Sequence, residues 1–255
     1  MTLSSRASPP VPPGMPRGFA PRTVRADEFV ALVQEAAALV GAAPARLCGL
    51  FLLVFLPVQL LSVVPYAAMP LRFSIAAVGL AGYYAALEAV RAGRPATLMD
   101  MLLPWRLPAE KVILLVASGL LPLLAVLLVW WFDLGWEAVD AFLGGRVPAD
   151  GFPMRQEFEF VLVINLVGTP LLFVQPLCVL YSWSASRSLS ANLLAVIANW
   201  RWAVALALVS IPIAIGLDAF DPKSVPEILL SLMADVAVEM ALGAFTLVLL
   251  QRSLR

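Results

Sequence analysis

The chain has 255 residues, of which 62% are hydrophobic and 13% are charged, and its mean hydropathy is +0.92. Soluble domains contain about 45–50% apolar and about 25% charged residues, so this chain has too few polar side chains to cover a water-exposed surface. The composition excludes a soluble globule, a disordered chain and a disulfide scaffold, and predicts a multi-spanning membrane protein. The 17 basic residues only balance the 17 acidic ones, and a nucleic-acid-binding protein would show a basic surplus.

The first segment of the chain is polar and rich in proline. It lacks the apolar core of a cleavable signal peptide. The prolines of this segment are Pro9, Pro10, Pro12, Pro13, Pro16 and Pro21. We therefore expect residues 1–26 to form a disordered cytoplasmic tail and residues 27–255 to form a single polytopic membrane domain.

Six apolar stretches approach the length of about 20 residues that a membrane helix needs. Three of them carry no charge over residues 47–71, 112–132 and 160–186. The predicted spans run roughly over residues 47–66, 70–90, 112–132, 160–182, 202–220 and 228–251.

The distribution of basic residues indicates the orientation. With six spans, 13 of the 17 basic residues lie on the side of both termini. The remaining basic residues are Arg72, Arg146, Arg155 and Lys223. Because cytoplasmic loops of membrane proteins are enriched in arginine and lysine, this pattern predicts a multi-pass membrane protein with both termini in the cytoplasm.

Amphipathic stretches precede the first, third and fifth spans. Their apolar stripes are Phe29, Leu32, Val33, Ala36 and Val40; Leu98, Met101, Leu102 and Trp105; and Leu189, Leu193, Ile197 and Trp200. Each stretch fits either a helix in the cytoplasmic interface or an ordinary connector, and for the third we favour the interfacial helix, with Ser186 or Ser188 as its N-cap. The predicted fold is an all-α membrane protein with six transmembrane helices, arranged as three hairpins with cytoplasmic interfacial amphipathic helices.

A spacing recurs in the three odd-numbered spans. A basic residue precedes a proline by eleven positions in each of them. The pairs are Arg46 with Pro57, Lys111 with Pro122, and Arg201 with Pro212. We interpret this spacing as three tandem units. Since proline bends a helix, the three bends either leave a central cavity or fit curved helices together.

Two short motifs resemble a known family. They are Ser186-Arg187-Ser188-Leu189-Ser190 leading to Asn199-Trp200-Arg201, and Arg91-Ala92-Gly93-Arg94. With them the chain resembles the six-span bacterial inner-membrane proteins related to the membrane domain attached to some glycerophosphodiester phosphodiesterases. The resemblance covers roughly residues 27–255. It implies a fold and a location but no catalytic residues, and the chain holds no hydrolase domain.

Two acidic residues interrupt the last span. Asp235 and Glu239 lie four positions apart, on one face of a helix. Counted from Ile228 at 1.5 Å per residue, they lie about 10 Å and about 16 Å deep. A charge at mid-membrane costs at least about 2.5 kcal/mol, so this face is expected to pack inward or against a partner.

Other polar residues fall at a similar depth. Gln59, Gln175 and Glu239 could form one layer, and Arg72 is a candidate partner of Asp235. Together these five residues form a candidate ion- or proton-binding site. The alternative is a structural role, in which protonated acids and amides form interhelical hydrogen bonds worth about 0.6 kcal/mol each.

Missing residue types limit the chemistry. The chain contains no histidine and two cysteines, which excludes histidine-based nucleophile triads and the common zinc sites. No phosphate-binding or dinucleotide-binding motif is present. We therefore expect no enzymatic activity, no cofactor and no metal site. The hypothesis is a structural or assembly component with a basic cytoplasmic face, which contacts the lipid bilayer and a membrane protein partner. The alternative is a small transporter or channel that uses Asp235 and Glu239.

Overall fold

The computed structural model describes residues 21–60, 64–146, 154–218 and 224–254. Within these ranges the chain forms helices and connecting turns, and no strand occurs in them. The helices are α1 (Phe29–Gly41), α2 (Pro44–Leu60), α3 (Ala68–Arg91), α4 (Leu98–Met101), α5 (Ala109–Leu134), α6 (Trp136–Leu143), α7 (Met154–Gly168), α8 (Val174–Leu180), α9 (Ala185–Ala198), α10 (Trp200–Asp218) and α11 (Val225–Ser253). The predicted all-helical class is confirmed for this part of the chain.

Several helices are long and apolar enough to span a membrane. Four stretches qualify by themselves: Ala68–Arg91, Ala109–Leu134, Arg155–Leu180 and Leu230–Ser253. Two further pairs qualify only when each pair is taken together, and both are sharply bent. The bend is 78° between Ala26–Gly41 and Pro44–Val58, and 86° between Ala185–Ala198 and Trp200–Ile213. The structure therefore contains four to six candidate spans.

The order of helices repeats three times along the chain. A short helical segment is followed by a helix with an internal proline, and then by another long helical stretch. The prolines Pro57, Pro122 and Pro212 lie inside α2, α5 and α10, as predicted. Pro122 is buried, whereas Pro57 and Pro212 are exposed. The three prolines therefore do not line one common interior surface.

The boundaries of the short helices follow local capping. Thr97 accepts a hydrogen bond from the backbone N–H of Asp100, whose carboxylate accepts one from the Thr97 N–H, so α4 begins with a capping box. Gly135, at φ +86°, separates α5 from α6. The N-cap of α9 is Ser184, which accepts a hydrogen bond from the N–H of Arg187. The predicted cap at Ser186 or Ser188 is wrong, because apolar periodicity identifies a helical face but not its first residue.

The buried apolar residues form two clusters, one toward each end of the molecule. We call the end where residues 22–24 meet Ser253 the termini end, and the opposite end, around Tyr66 and α6, the far end. The larger core lies toward the termini end and joins α1, α2, α3, α8, α9 and α11. The smaller core lies at the far end and is formed mainly by α5, α6 and α7. Among the described residues, neither core includes α10 beyond Leu206 or α11 before Leu232.

The helices α1 and α9 expose several apolar residues that a simple amphipathic helix would bury against the protein. Helix α1 buries Leu32 and Ala36 but exposes Phe29 and Val33. Helix α9 turns its apolar residues outward and buries small and polar ones instead. Its buried residues are Arg187, Ser188, Ala191, Asn192 and Ala195, and its exposed large apolar residues are Leu193, Leu194 and Ile197. The apolar stripe of α9 is therefore free to contact something outside the protein.

A buried asparagine supports the break between α7 and α8. A 3-10 turn at Thr169–Leu171 interrupts the helical hydrogen bonding there. Asn192 of α9 accepts a hydrogen bond from the N–H of Phe173 at 2.9 Å and donates one to the carbonyl of Pro170 at 2.6 Å. These bonds satisfy backbone groups that a continuous helix would have paired.

Candidate functional site

The two predicted carboxylates lie in the middle of α11. Asp235 and Glu239 are one helical turn apart, and both side chains are exposed. Glu239 lies nine residues from Leu230, where the span-length stretch begins, which places it about 14 Å along the helix. The depth of Glu239 in a membrane stays a prediction, and both side chains lie at the surface of the described protein.

Helix α11 contacts α3 just beyond Glu239. Tyr83 donates a hydrogen bond to the carbonyl of Met240 at 3.1 Å. The same ring lies against Gly243, where an added Cβ would meet it at 3.0 Å. Tyr84 is also buried and lies near Thr246 and Glu239. Glu239 therefore lies next to the tightly packed part of α11, whose core contacts continue past it through Val236 and Leu232.

The other predicted site residues lie in different surroundings. Gln175 of α8 donates to the Oγ of Ser118 in α5 at 3.4 Å. Arg72 lines a cavity of about 280 Å³ at the far end, beside Met69 and Phe142. The side chain of Gln59 lies outside the described residues. A shared layer of Gln59, Gln175 and Glu239, and a pairing of Arg72 with Asp235, therefore remain predictions.

The part of the chain that the structure describes offers no evident metal site. Within those residues, no group of three or more histidine, cysteine, aspartate or glutamate side chains is placed to hold an ion.

The termini end is held by a bridging glutamate. One carboxylate oxygen of Glu35 in α1 accepts a hydrogen bond from Arg91 of α3 at 2.9 Å. The other oxygen accepts two from Arg252 of α11, at 3.0 and 3.2 Å. All three side chains are partly buried, which shields the pairs from solvent. Glu35 thus links three helices that lie far apart in the sequence.

An extended segment before α1 is strapped across this end. We call residues 22–24 the N-terminal strap. The N–H of Arg22 donates to the carbonyl of Ser253 at 2.7 Å, and the indole of Trp202 donates to the carbonyl of Val24 at 2.9 Å. Val24 is buried. The strap therefore lies between the C-terminal end of α11 and the start of α10.

Asn199 is the hub of the strap. Its side-chain oxygen accepts a hydrogen bond from the N–H of Val24 at 2.8 Å. Its amide nitrogen lies 3.2 Å from the carbonyl of Arg22, 3.1 Å from that of Ala195 and 2.9 Å from the hydroxyl of Ser253. Asn199 itself is buried between α9 and α10. One side chain thus joins the strap, the α9–α10 corner and the last turn of α11.

The turn that follows the strap contains a stabilised carboxylate. Glu28 accepts hydrogen bonds from the backbone N–H of Arg25 at 3.0 Å and from the guanidinium of Arg22 at 2.6 Å. These donors, the backbone group first, hold the pKa of Glu28 below its usual value. The carboxylate therefore stays charged over the ordinary pH range.

Lys111 is buried near the start of α5. Its ammonium group donates to the carbonyls of Cys178 at 2.8 Å and Tyr181 at 2.6 Å. These carbonyls belong to the end of α8, where backbone oxygens lack helical partners and a positive charge is favourable. Lys111 therefore caps α8 from another helix.

Three exposed arginines accompany the three proline-containing helices. Arg46 lies in the first turn of α2, Arg106 just before α5, and Arg201 in the first turn of α10. Among the described residues none of the three forms an ion pair with an acid, whereas Arg25 and Arg94 lie beside Asp27 and Asp100. These three cations are accordingly available to an external anion.

Sequence reasoning missed Asn199, Asn192 and Lys111 as organising residues. Asn199 has a weak sequence signal, since it stands between an amphipathic stretch and a span, where a polar side chain can meet free backbone groups. Lys111 was predicted only as the first residue of a repeat unit.

Comparison of the chain with protein-family models, curated proteins and solved structures gives no match. The resemblance drawn from the short motifs therefore remains a prediction.

Proposed function

We propose that the protein is a non-enzymatic structural or assembly component of a bacterial inner membrane, with six spans and both termini in the cytoplasm. The termini end then faces the cytoplasm and the far end faces outward. The proposal includes the fold and location implied by the resemblance to the six-span inner-membrane family. The observation that carries it is the construction of the termini end, where α1 and α9 meet the following helices at 78° and 86°.

The two bent pairs support helices that lie in the membrane interface. A helix nearly perpendicular to a span runs along the membrane surface. Helix α9 exposes Leu193, Leu194 and Ile197 in its second half, and Trp200 continues this exposed surface. An interfacial helix inserts such a face at the boundary between headgroups and acyl chains, with tryptophan at headgroup depth. This geometry favours an interfacial helix over a plain connector for α9, and the exposed Phe29 and Val33 favour the same for α1.

The three arginines that form no ion pair within the described residues support lipid binding at this face. Arg46, Arg106 and Arg201 each stand near the cytoplasmic start of a proline-containing helix. A basic side chain near an anionic leaflet contributes about 1 kcal/mol of binding free energy. Three such positions around one face would organise anionic phospholipids there and could present that face to a partner.

Native mass spectrometry in mild detergent tests this proposal with phosphatidylglycerol and phosphatidylcholine. We expect wild type to retain more phosphatidylglycerol, and the triple variant R46Q/R106Q/R201Q to lose that preference at least tenfold. The double variant R25Q/R94Q is the control, because its arginines already lie beside acids. Equal retention by wild type and the triple variant would contradict the proposal, and so would an equal loss in the control.

The exposure of Asp235 and Glu239 supports a second proposal, a small transporter or channel that uses these carboxylates. Carboxylates at mid-membrane depth are typical of ion and proton pathways. Flux of protons or alkali cations into proteoliposomes, compared between wild type and E239Q, tests it. Flux that is absent in wild type, or unchanged in a folded E239Q protein, removes this candidate.

A further inference from the structure

The outer half of α11 packs less tightly than its inner half. Between Leu230 and Ala241, only Val236 and Met240 are buried among the described side chains, and all others are half-buried or exposed. These two residues lie four apart, so the helix packs along a single narrow stripe. Most of its circumference in this half lies outside the packed core.

One side of this half carries the two exposed carboxylates among small or branched side chains that are half-buried. At 100° per residue, Ser231, Ala234, Asp235, Val238 and Glu239 fall on the same side of the helix. We call these five residues the α11 carboxylate face. Val238 is its one branched aliphatic member, whereas Ser231 and Ala234 are small. Small side chains allow the backbone of a second helix to approach closely, as is typical of helix contacts within membranes.

Lipid cannot solvate this side as it can the rest. Acyl chains cover the exposed Leu230 and Met233 without cost, whereas an ionisable residue at this depth requires protein or water around it. Among the described residues Glu239 forms no ion pair, and Asp235, one helical turn away, has the same sign of charge. Glu239 therefore calls for a positive charge from outside the described chain.

We propose that the α11 carboxylate face binds a transmembrane helix of another protein that carries a lysine or arginine at mid-bilayer depth. This inference rests on the proposed assembly function, because it names the class of partner. Glu239 would accept hydrogen bonds from the basic group, and Ser231 and Ala234 would contact the helix backbone.

A second copy of this chain does not fit as the partner. Within the helices that could span, the basic residues nearest the membrane interior are Lys111 and Arg72. Lys111 is buried and committed to two carbonyls of α8. Arg72 lies one turn from the start of α3, toward the outer surface. Neither offers a cation to Glu239 of a neighbouring copy at mid-bilayer depth.

The test uses synthetic helices and the full-length protein in phosphatidylcholine vesicles. The probe is a leucine–alanine peptide of about 23 residues with one central lysine, and the reference peptide has leucine at that position. Energy transfer between the labelled protein and labelled peptide reports binding. We expect wild type to bind the lysine peptide at least tenfold more tightly than the reference, and E239Q to lose this preference. The control E137Q changes an exposed acid on α6 in the same way and should keep it.

A variant-free arm covers the case in which E239Q fails to fold. Moving the lysine two helical turns toward one end of the peptide should abolish the preference of wild type. The proposal is overturned if both peptides bind equally, if the displaced lysine binds as well as the central one, or if folded E239Q retains the preference. It is also overturned if the protein instead associates with itself through Glu239, or conducts ions through Glu239 without preferring the lysine peptide.

The experiments distinguish failure of this inference from failure of the proposed lipid-binding face. Suppose that R46Q/R106Q/R201Q retains phosphatidylglycerol as wild type does, while wild type still prefers the lysine peptide. The docking face would then stand, and the proposed lipid binding at the cytoplasmic face would be removed. The lipid effect without a peptide preference would do the reverse.

Discussion

Asn199 offers the sharpest test of how the termini end is held together. Replacing it by alanine removes the acceptor of the buried Val24 N–H and the donor that serves Arg22 and Ser253. The amide nitrogen carries two protons and has three acceptors in reach, so it donates at most two hydrogen bonds at once. With the bond that the side-chain oxygen accepts from Val24, at most three form together. We expect the N-terminal strap to open far more often in N199A.

The magnitude follows from those three bonds. Each contributes about 0.5–1.5 kcal/mol, and an unpaired buried N–H costs a further 1 kcal/mol or more, so the strap loses about 3 kcal/mol. At about 1.4 kcal/mol per factor of ten, this corresponds to roughly a hundredfold rise in the open population. Val24 is only 3% exposed, so its amide exchanges with solvent chiefly through such opening.

Hydrogen–deuterium exchange of the Val24 amide in detergent micelles measures this effect. N199D should fall between wild type and N199A, because aspartate still accepts from Val24 but donates nothing. N192A is the matched control: it should speed exchange at Phe173 and leave Val24 unchanged. If Val24 exchanges within threefold of wild type in a folded N199A protein, Asn199 is not the hub that its contacts indicate.

Three further predictions concern packing and charge. In thermal unfolding, K111M should lower the free energy of unfolding by about 2 kcal/mol. Two carbonyls at the end of α8 lose their donor, and removal of the buried ammonium offsets only part of that cost. An unchanged melting temperature would contradict the capping role of Lys111. G82A should lose about 1–3 kcal/mol in the same assay, since its Cβ would lie 2.0 Å from the Met101 carbonyl oxygen, whereas G49A meets nothing within 4 Å and should be neutral or stabilising. The lowered pKa of Glu28 means that its contribution is present above the ordinary value of 4.5 and is lost as pH falls through the lower folded value. Protection of the strap amides, measured relative to the intrinsic exchange rate at each pH, should therefore fall in strong acid, and E28Q should remove that component of the pH dependence.

Local signals determined the parts of the fold that sequence could predict. The predicted spans 70–90 and 112–132 correspond to α3 (Ala68–Arg91) and α5 (Ala109–Leu134). The length of an apolar run and the position of a proline depend only on neighbouring residues, so the sequence alone is enough to predict the helices that they define. The positions of Asp235 and Glu239 on one face of α11 follow from helical periodicity in the same way.

The contacts that organise the termini end depend on distant residues. Asn199 bonds to Val24, 175 positions earlier, and Lys111 bonds to carbonyls 67 and 70 positions later. No periodicity encodes such pairings, so sequence reasoning assigned Lys111 to a repeat of basic residues. The structure buries it as a helix cap, and Arg106 is the exposed cation near that position.

The unequal packing of the two halves bears on how α11 would bind a partner. Toward the termini end, Arg252 and Ser253 hold the last turn of α11 to α1 and the strap, and Tyr83 holds the helix near its middle. Contacts at two heights fix the direction in which the outer half emerges, although that half packs along one stripe. A helix docking on the α11 carboxylate face would therefore meet a surface already oriented, and preorganisation of this kind lowers the entropy cost of association. It follows that loosening the strap with N199A should weaken docking without touching Glu239, whereas a docking affinity indifferent to N199A would mean that the contacts near Tyr83 suffice.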